Sequence, residues 1–274
     1  MSDFLDKDGI SQYMSMIGAL QWCVSIGRID IATAVMTMSS FRVAPRIGHL
    51  DRLKRIYGYI SKMRHSTIRI RILEPDYSDI PDPQYDWAST VHDEYSEQVP
   101  DDAPTPLGKY VTLSHFVDAN LLHDLTTGKS CCAVLHLMNQ TPIDWYSKKL
   151  SCVETSTYST EIVSARICME QIIDLRTTLR YLGVPIREKS YMFGDNKSVV
   201  DSATKPQSKL HKRHQLLSFM KVRQYVASGM VSYNFVPGDL NPADMLSKAW
   251  GRYQIWPMLN ALLFYKGDTA EIEN

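Results

Sequence analysis

Four carboxylates stand where a mixed α/β fold can gather ligands: Asp118 in HFVDAN, Glu161 in YSTEIV, Asp195 in MFGDNKS and Asp244 in NPADML. Carboxylates at the ends of adjacent strands converge in the crevice where such sheets bind ligands. Brought together, they suit two divalent ions about 3.5–4 Å apart, the arrangement that hydrolyses phosphodiesters. One ion activates water and the other stabilises the leaving oxygen. Three or four carboxylates hold such a pair and leave positions for phosphate and water. Mg²⁺ fits because it prefers oxygen ligands and keeps several waters; Mn²⁺ is an acceptable substitute. No His-rich or Cys-rich ligand set competes with these acids. Each acid alone also has a plainer reading. An exposed surface acid is the usual state of Asp or Glu. Asp244 fits a charge placed at a helix N-terminus, and Glu161 fits the solvated edge of an amphipathic helix.

The elements that must position these acids can be read from periodicity. Lys109–Asp118 reads as a strand, Ser130–Met138 as a second and Thr141–Ser147 as a third, with Asn139-Gln140 as the turn between the last two. A long helix starts near Thr155–Thr157, where hydroxyls offer caps. Its apolar stripe is Ile162, Ala165, Met169, Ile172, Leu175, Leu179 and Leu182, and Gly183 with Pro185 ends it. A short strand at Ser190–Phe193, a helix over 196–203, a helix over 210–227 and a strand over 230–236 follow. Asn241-Pro242 then supplies a cap and a proline for the first turn of a last helix. The order is β-β-β-α-β-α-α-β-α.

Upstream, three helical patterns fill residues 1–72: Met14, Ile17, Leu20 and Val24; Ile31, Val35 and Met38; then Leu50, Leu53, Ile56, Tyr57 and Ile60. That block has too few residues for much of a core alone. Residues 73–108 combine prolines with acids, a composition that favours an extended linker. The expected organisation is therefore a helical block over 1–72, a linker over 73–108, an α/β domain over 109–250 and a C-terminal tail over 251–274.

Charge is segregated although 30 Lys and Arg balance 30 Asp and Glu. From Met14 to Ile72 ten basic residues face two acids; from Glu74 to Asp102 there are ten acids and no base; from Lys205 to Arg223 there are six bases and no acid. Such separation can hold a basic face at neutral pI. The five cysteines form no C-x-x-C pair, which argues against a disulfide framework or a zinc site and for a reducing compartment. No apolar run approaches the ~20 residues that span a bilayer, and the polar N-terminus is no signal peptide. An intracellular location is expected.

The sequence resembles the C-terminal end of copia-like retrotransposon Pol, where a ribonuclease H domain follows reverse transcriptase. DANLLHD (Asp118–Asp124), PIDWYSKK (Pro142–Lys149), VETSTYSTEIVSAR (Val153–Arg166), GDNKSVV (Gly194–Val200), KRH (Lys212–His214) and NPADMLSK (Asn241–Lys248) carry the resemblance, in that family's order. YMSMIGALQWCVSIGRIDIATAV (Tyr13–Val35) and HLDRLKRIYGYI (His49–Ile60) resemble the stretch joining polymerase to ribonuclease H. The resemblance implies a ribonuclease H-like mixed five-stranded sheet flanked by helices, preceded by a small helical block from the thumb and connection. It implies cleavage of the RNA strand of RNA–DNA hybrids with two Mg²⁺ ions on Asp118, Glu161, Asp195 and Asp244. Glu154 lies outside that set. The polymerase palm, with its Y-x-D-D motif, has no counterpart here. No DNA synthesis is expected, and the palm and fingers are the implied protein partner. Retroviral relatives place a catalytic His in the loop before the last helix, which here reads VPGDLNPAD without one.

Lys209, Lys212 and Arg213, with His214, lie on the basic stretch and are candidates to follow the hybrid backbone, since phosphate contacts dominate affinity; a solvated helix face is the alternative. Asn120 and Ser198 are candidates for sugar or phosphate contact. Trp145 and Tyr158 read as core residues, and Asp124 and Asp144 as turn or edge acids. Two other classes stay open: a nucleic-acid-binding remnant without catalysis, and an integrase-like nuclease. Integrases use three acids, and Asp244 as a fourth favours ribonuclease H.

Overall fold

The computed structural model describes residues 2–265 apart from 82–84, 93–95, 98, 100 and 211. It divides into two compact units. One joins the residues up to Arg69 with those from Lys248 onward, and the other is Ile70–Ser247.

The first unit holds α1 (Lys7–Ser25), α2 (Ala32–Ser39) and α3 (Ile47–Lys62). Asp6 caps α1 by accepting from the Gly9 amide at 2.8 Å. The three helices close on Tyr13, Ile17, Leu20, Ile31, Val35, Met38 and Leu53. Tyr13, rather than the expected Met14, faces this core; its hydroxyl donates to the Met38 carbonyl at 2.8 Å, and Met14 is exposed. The short strand β1 (Thr67–Ile68) follows. The C-terminal residues expected as a tail fold into this same unit, as α8 (Arg252–Leu262) and β7 (Leu263–Phe264). β7 pairs antiparallel with β1, Thr67 opposite Phe264, and the Arg69 guanidinium sits 3.9 Å over the Phe264 ring. Leu259, Leu262 and Leu263 are buried there, so this segment has an apolar face that a free tail would expose.

The second unit is a mixed five-stranded sheet flanked by helices. Its strands are β2 (Leu113–Asp124), β3 (Lys129–Met138), β4 (Thr141–Lys149), β5 (Ser190–Gly194) and β6 (Val231–Phe235), in the order β4-β3-β2-β5-β6. The first three form an antiparallel meander; β5 and β6 add in parallel. Asn139 makes the β3–β4 turn at φ 55°, a left-handed conformation that Asn tolerates. Four helices complete the unit: α4 (Thr157–Tyr181), α5 (Lys197–Thr204), α6 (Leu216–Ala227) and the single turn α7 (Asp244–Ser247). Ile162, Ala165, Met169 and Ile172 of α4 pack on Val117, Cys132, Val134 and Met192 of the sheet. The buried stripe ends at Leu179; Leu182 is exposed.

Two elements depart from expectation. β2 begins at Leu113 and runs past Asp118 to Asp124, because its register with β3 continues through Asp118 opposite Ala133 to Asn120 opposite Cys131. Asp118 is thus mid-strand rather than at a strand end. The basic stretch is no continuous helix: α6 starts at Leu216 after a 3₁₀ turn at Arg213–Gln215. Arg223 is buried there and donates to the carbonyls of Ser202, Lys205 and Pro206 at 2.8, 2.8 and 2.6 Å. Its charge pins the preceding turn instead of facing solvent.

The acidic stretch makes specific contacts with this unit. Val117 and Met192 point to the α4 side, so Phe116 and Phe193, one residue away on each strand, point to the other face. Tyr77 covers them from the acidic stretch, its ring 5.4 Å from Phe193 and 4.6 Å from Tyr191, with its hydroxyl on Ser114 Oγ at 2.9 Å. Glu74 takes Thr112 and Arg187, and Glu97 takes Arg176 and Arg180. Two of these acids thus have cationic partners, Glu74 on Arg187 ahead of β5 and Glu97 on Arg176 and Arg180 of α4.

Candidate metal centre

Three elements bring three acids to one point. Asp118 stands mid-β2 with no solvent exposure, Glu161 lies in the second turn of α4 at 4% exposure, and Asp195 follows the last residue of β5. One oxygen from each lies within 4.8 Å of the others. Three carboxylates this close oppose one another's ionisation. A hard divalent cation relieves that repulsion, and an all-oxygen donor set is what Mg²⁺ and Mn²⁺ prefer. The residues present therefore fit such an ion.

The sequence around each acid explains its placement. The Ser156 side chain caps α4 by accepting from the Ser159 amide, which fixes the start of the helix that carries Glu161. Asn196 caps α5 just past Asp195, accepting from the Val199 amide at 3.2 Å. Gly194 is needed for close approach: a Cβ there would lie 2.7 Å from the Tyr233 hydroxyl. That hydroxyl stays protonated, because burial first, and then the negative charge of Glu161 with Asp195 adding to it, pushes its pKa well above the ordinary value. Gly238 passes less tightly, with Asp195 Oδ2 3.2 Å from where its Cβ would be.

α7 docks against the same point. Asn241, fully buried, donates from Nδ2 to the Val117 carbonyl at 2.8 Å and accepts from the Ala243 amide. Ser247 Oγ donates to Asp118 Oδ2. Asp244 is buried on this turn but is not among the three acids whose oxygens meet within 4.8 Å.

The other sequence candidates are dispersed. Asn120 spans to α7, its Nδ2 donating to the Ser247 carbonyl at 3.2 Å. Ser198 is exposed in the first turn of α5, and Lys209 and Arg213 are exposed. Lys212 Nζ donates to Ser156 Oγ, and His214 Nε2 lies 3.5 Å from Ser159 Oγ. The KRH segment therefore meets the start of α4. Glu154 joins this junction by accepting from Gln215 Nε2 at 2.7 Å, away from the three acids. Trp145 and Tyr158 are half-buried; Tyr158 packs on the edge of the core. Asp124 pairs with Lys149 at the end of β2, and Asp144 is exposed. Tyr233 and Ser247 carry no signal from residue type or spacing, and Asn241 reads in sequence only as a helix cap. Only the NPADMLSK resemblance pointed near the last two, and nothing in the sequence singled out Tyr233.

No protein-family model matches the chain. The retrovirus-related Pol polyprotein from transposon TNT 1-94 of Nicotiana tabacum is 23% identical over 237 residues, which cover 86% of this chain and 15% of that protein. The corresponding polyprotein from transposon RE1 of Arabidopsis thaliana is 24% identical over 246 residues, 88% of this chain and 14% of that protein. The chain is similar to copia-type retrotransposon Pol polyproteins. It spans about one seventh of the length of these relatives. A putative transposon Ty5-1 protein of Saccharomyces cerevisiae is 27% identical over 163 residues, covering 59% of this chain and 42% of that protein. Among solved structures, an N-terminal ribonuclease H domain from Mycobacterium tuberculosis, fused to maltose binding protein, overlaps 55% of this chain and 98% of its own at 14% identity and a TM-score of 0.39. A ribonuclease H1 from Halobacterium salinarum overlaps 51% of this chain and 95% of its own at 12% identity and a TM-score of 0.37.

Proposed function

We propose that residues 70–247 form a metal-dependent ribonuclease H domain that hydrolyses the RNA strand of RNA–DNA hybrids during retrotransposon reverse transcription. The observation that carries this reading is the meeting of Asp118, Glu161 and Asp195 within 4.8 Å. These three residues would hold Mg²⁺, with Asp244 as the fourth acid on the adjoining turn. Bound there, divalent metal supplies an activated water and stabilises the leaving oxygen. The protein's own contribution is placement. β2, α4 and β5 each fix one carboxylate. Tyr233, held protonated, presents a hydroxyl rather than another negative charge beside Glu161 and Asp195. Similarity to Pol polyproteins supports an intracellular setting in which polymerase palm and fingers are partners.

The test is cleavage of a labelled RNA–DNA hybrid by residues 1–274 with Mg²⁺ or Mn²⁺, beside double-stranded DNA and single-stranded RNA. Hybrid cleavage that leaves 3′-hydroxyl and 5′-phosphate ends, and that EDTA abolishes, is expected. Robust cleavage in excess chelator would exclude the metal mechanism. Preferential cutting of double-stranded DNA would favour the integrase-like alternative. Primer extension is not expected.

Lys209 and Arg213 are exposed beside the KRH junction and suit phosphate contact. Lys209→Gln with Arg213→Gln is expected to weaken hybrid binding regardless of sequence. The slope of log affinity against log salt should fall by about one unit per lost contact. Lys212→Gln is the separate case, because it also releases Ser156 at the start of α4. Binding titrations across a salt series decide it; an unchanged slope in the double variant places this patch off the substrate path.

A further inference from the structure

Asp118 is fully buried, so both its oxygens depend on protein groups or a bound ion for their partners. One of those partners comes from far along the chain: Ser247 Oγ donates to Asp118 Oδ2 across 129 positions. Ser247 is itself fully buried. Its hydroxyl has one proton and two acceptors in reach, Asp118 Oδ2 and the Asp244 carbonyl at 3.1 Å; the charged carboxylate is the stronger acceptor.

The turn that carries this hydroxyl is fastened around Asp118 at three further places. Asn120 Nδ2 holds the Ser247 carbonyl at 3.2 Å, Ser147 Oγ holds the Leu246 carbonyl at 2.6 Å, and Asn241 Nδ2 holds the Val117 carbonyl at 2.8 Å. Two of these anchors, Asn120 and the Val117 carbonyl, lie within two residues of Asp118 on β2. α7 has only four residues, too short to be stable by itself. Besides the burial of Met245 and Leu246, these side-chain bonds attach it to the sheet, and the Ser247 hydroxyl is the part of the turn that ends on a cluster acid.

We propose that Ser247 is a positioning residue for metal binding: its hydroxyl fixes the Asp118 carboxylate in the orientation that meets Glu161 and Asp195. This rests on the ribonuclease H reading above. Groups that hydrogen-bond a ligating carboxylate set its orientation, and their loss typically weakens metal affinity or activity about 10- to 100-fold. The role also explains why a serine is buried at the end of a one-turn helix: Ala there would leave an acceptor of the buried carboxylate without its donor.

The experiment measures Mn²⁺ binding to the full chain by calorimetry, without nucleic acid, and hybrid cleavage across a Mn²⁺ series. Ser247→Ala and Ser247→Thr are compared with wild type. Ser247→Ala is expected to weaken Mn²⁺ binding by about 10- to 100-fold. The Mn²⁺ needed for half-maximal cleavage should rise by a similar factor, with cleavage recovered at saturating metal. Ser247→Thr retains the hydroxyl and is expected to bind Mn²⁺ as wild type does. Wild-type Mn²⁺ affinity in Ser247→Ala overturns the proposal. So does equal weakening in both variants, which would place the effect in packing, as would a drop in maximal cleavage with no change in the metal required. If the wild-type chain neither binds Mn²⁺ nor cuts hybrid, it is the ribonuclease H reading that fails.

Discussion

Asp195→Asn is expected to remove most hybrid cleavage, a larger loss than the about 10- to 100-fold typical of a group behind a ligand, while leaving the circular dichroism spectrum unchanged. The amide nearly matches the carboxylate in shape but lacks the charge that holds a divalent ion. Asp118→Asn and Glu161→Gln should behave alike, since each removes one charge from the same cluster of acids. Metal-free thermal melting sharpens the test. Neutralising one of three crowded carboxylates relieves repulsion, so the melting temperature of Asp195→Asn in EDTA should not fall below that of wild type. A misfolded variant would lose both activity and stability; a metal-site variant loses activity alone. Asp244→Asn should cost less, because Asp244 stands outside the three acids that meet within 4.8 Å. Glu154→Gln is the control on the same stretch of chain: its carboxylate accepts from Gln215 and takes no part in the cluster. Wild-type cleavage by Asp195→Asn would remove the four-acid site from consideration and make a non-catalytic, hybrid-binding remnant the better reading.

The largest stability effect is expected at Glu97. The Arg176 side chain has no solvent exposure and gives Nε and Nη2 to the two Glu97 oxygens at 2.8 and 2.7 Å. Arg180 adds a contact at 2.8 Å. Glu97→Gln leaves the Arg176 cation buried with its remaining neutral partners, Ser190 Oγ and the Arg187 and Glu188 carbonyls. Removing one member of such a pair costs about 3 kcal/mol, less than a fully sealed pair because Glu97 keeps some contact with water. Burial alone would raise the Glu97 pKa, but the hydrogen bonds and charges of Arg176 and Arg180 outweigh it and hold the carboxyl below its usual range. A depressed pKa contributes stability that is fully present above the unfolded value, near 4.3, and is lost as pH falls through the folded one. The gap in urea midpoint between wild type and Glu97→Gln should therefore stay constant from about pH 7 to 5 and narrow below about 4. Identical midpoints at neutral pH would mean that this ion pair does not hold the acidic stretch.

Local patterns made most of the second unit legible. The three strands, the long helix and its cap, the later βα elements and the Asn139 turn all follow from periodicity and turn chemistry within a few residues of where they act. Asp118, Glu161 and Asp195 were readable as candidates because the first two lie within apolar-patterned β2 and α4 and the third directly follows β5. What stayed hidden depends on partners far along the chain. Composition registers ten acids between Glu74 and Asp102 but not that Arg176 and Arg187 await two of them. The same holds for Arg223: in sequence it is one of six bases between Lys205 and Arg223, yet its donors go to three carbonyls. Ser247 and Asn241 are ordinary helix-end residues in sequence, and their roles appear only once α7 lies beside β2.

The pairing of β1 with β7 carries a consequence for biosynthesis. Arg69 and Leu263, bonded at 3.0 Å, are 194 positions apart. The helices α1 to α3 leave the ribosome before Ile70–Ser247, whereas the helix and strand that complete their unit leave it after Ile70–Ser247. That intervening stretch is contiguous and has its own core, so it can fold while the earlier helices still wait. Units usually fold in the order in which they are made; here the unit whose helices are made earlier closes later than Ile70–Ser247. A stop codon just after Ser247 would spare the carboxylate cluster and orphan the helices translated before it, exposing their apolar surface to aggregation or chaperone capture.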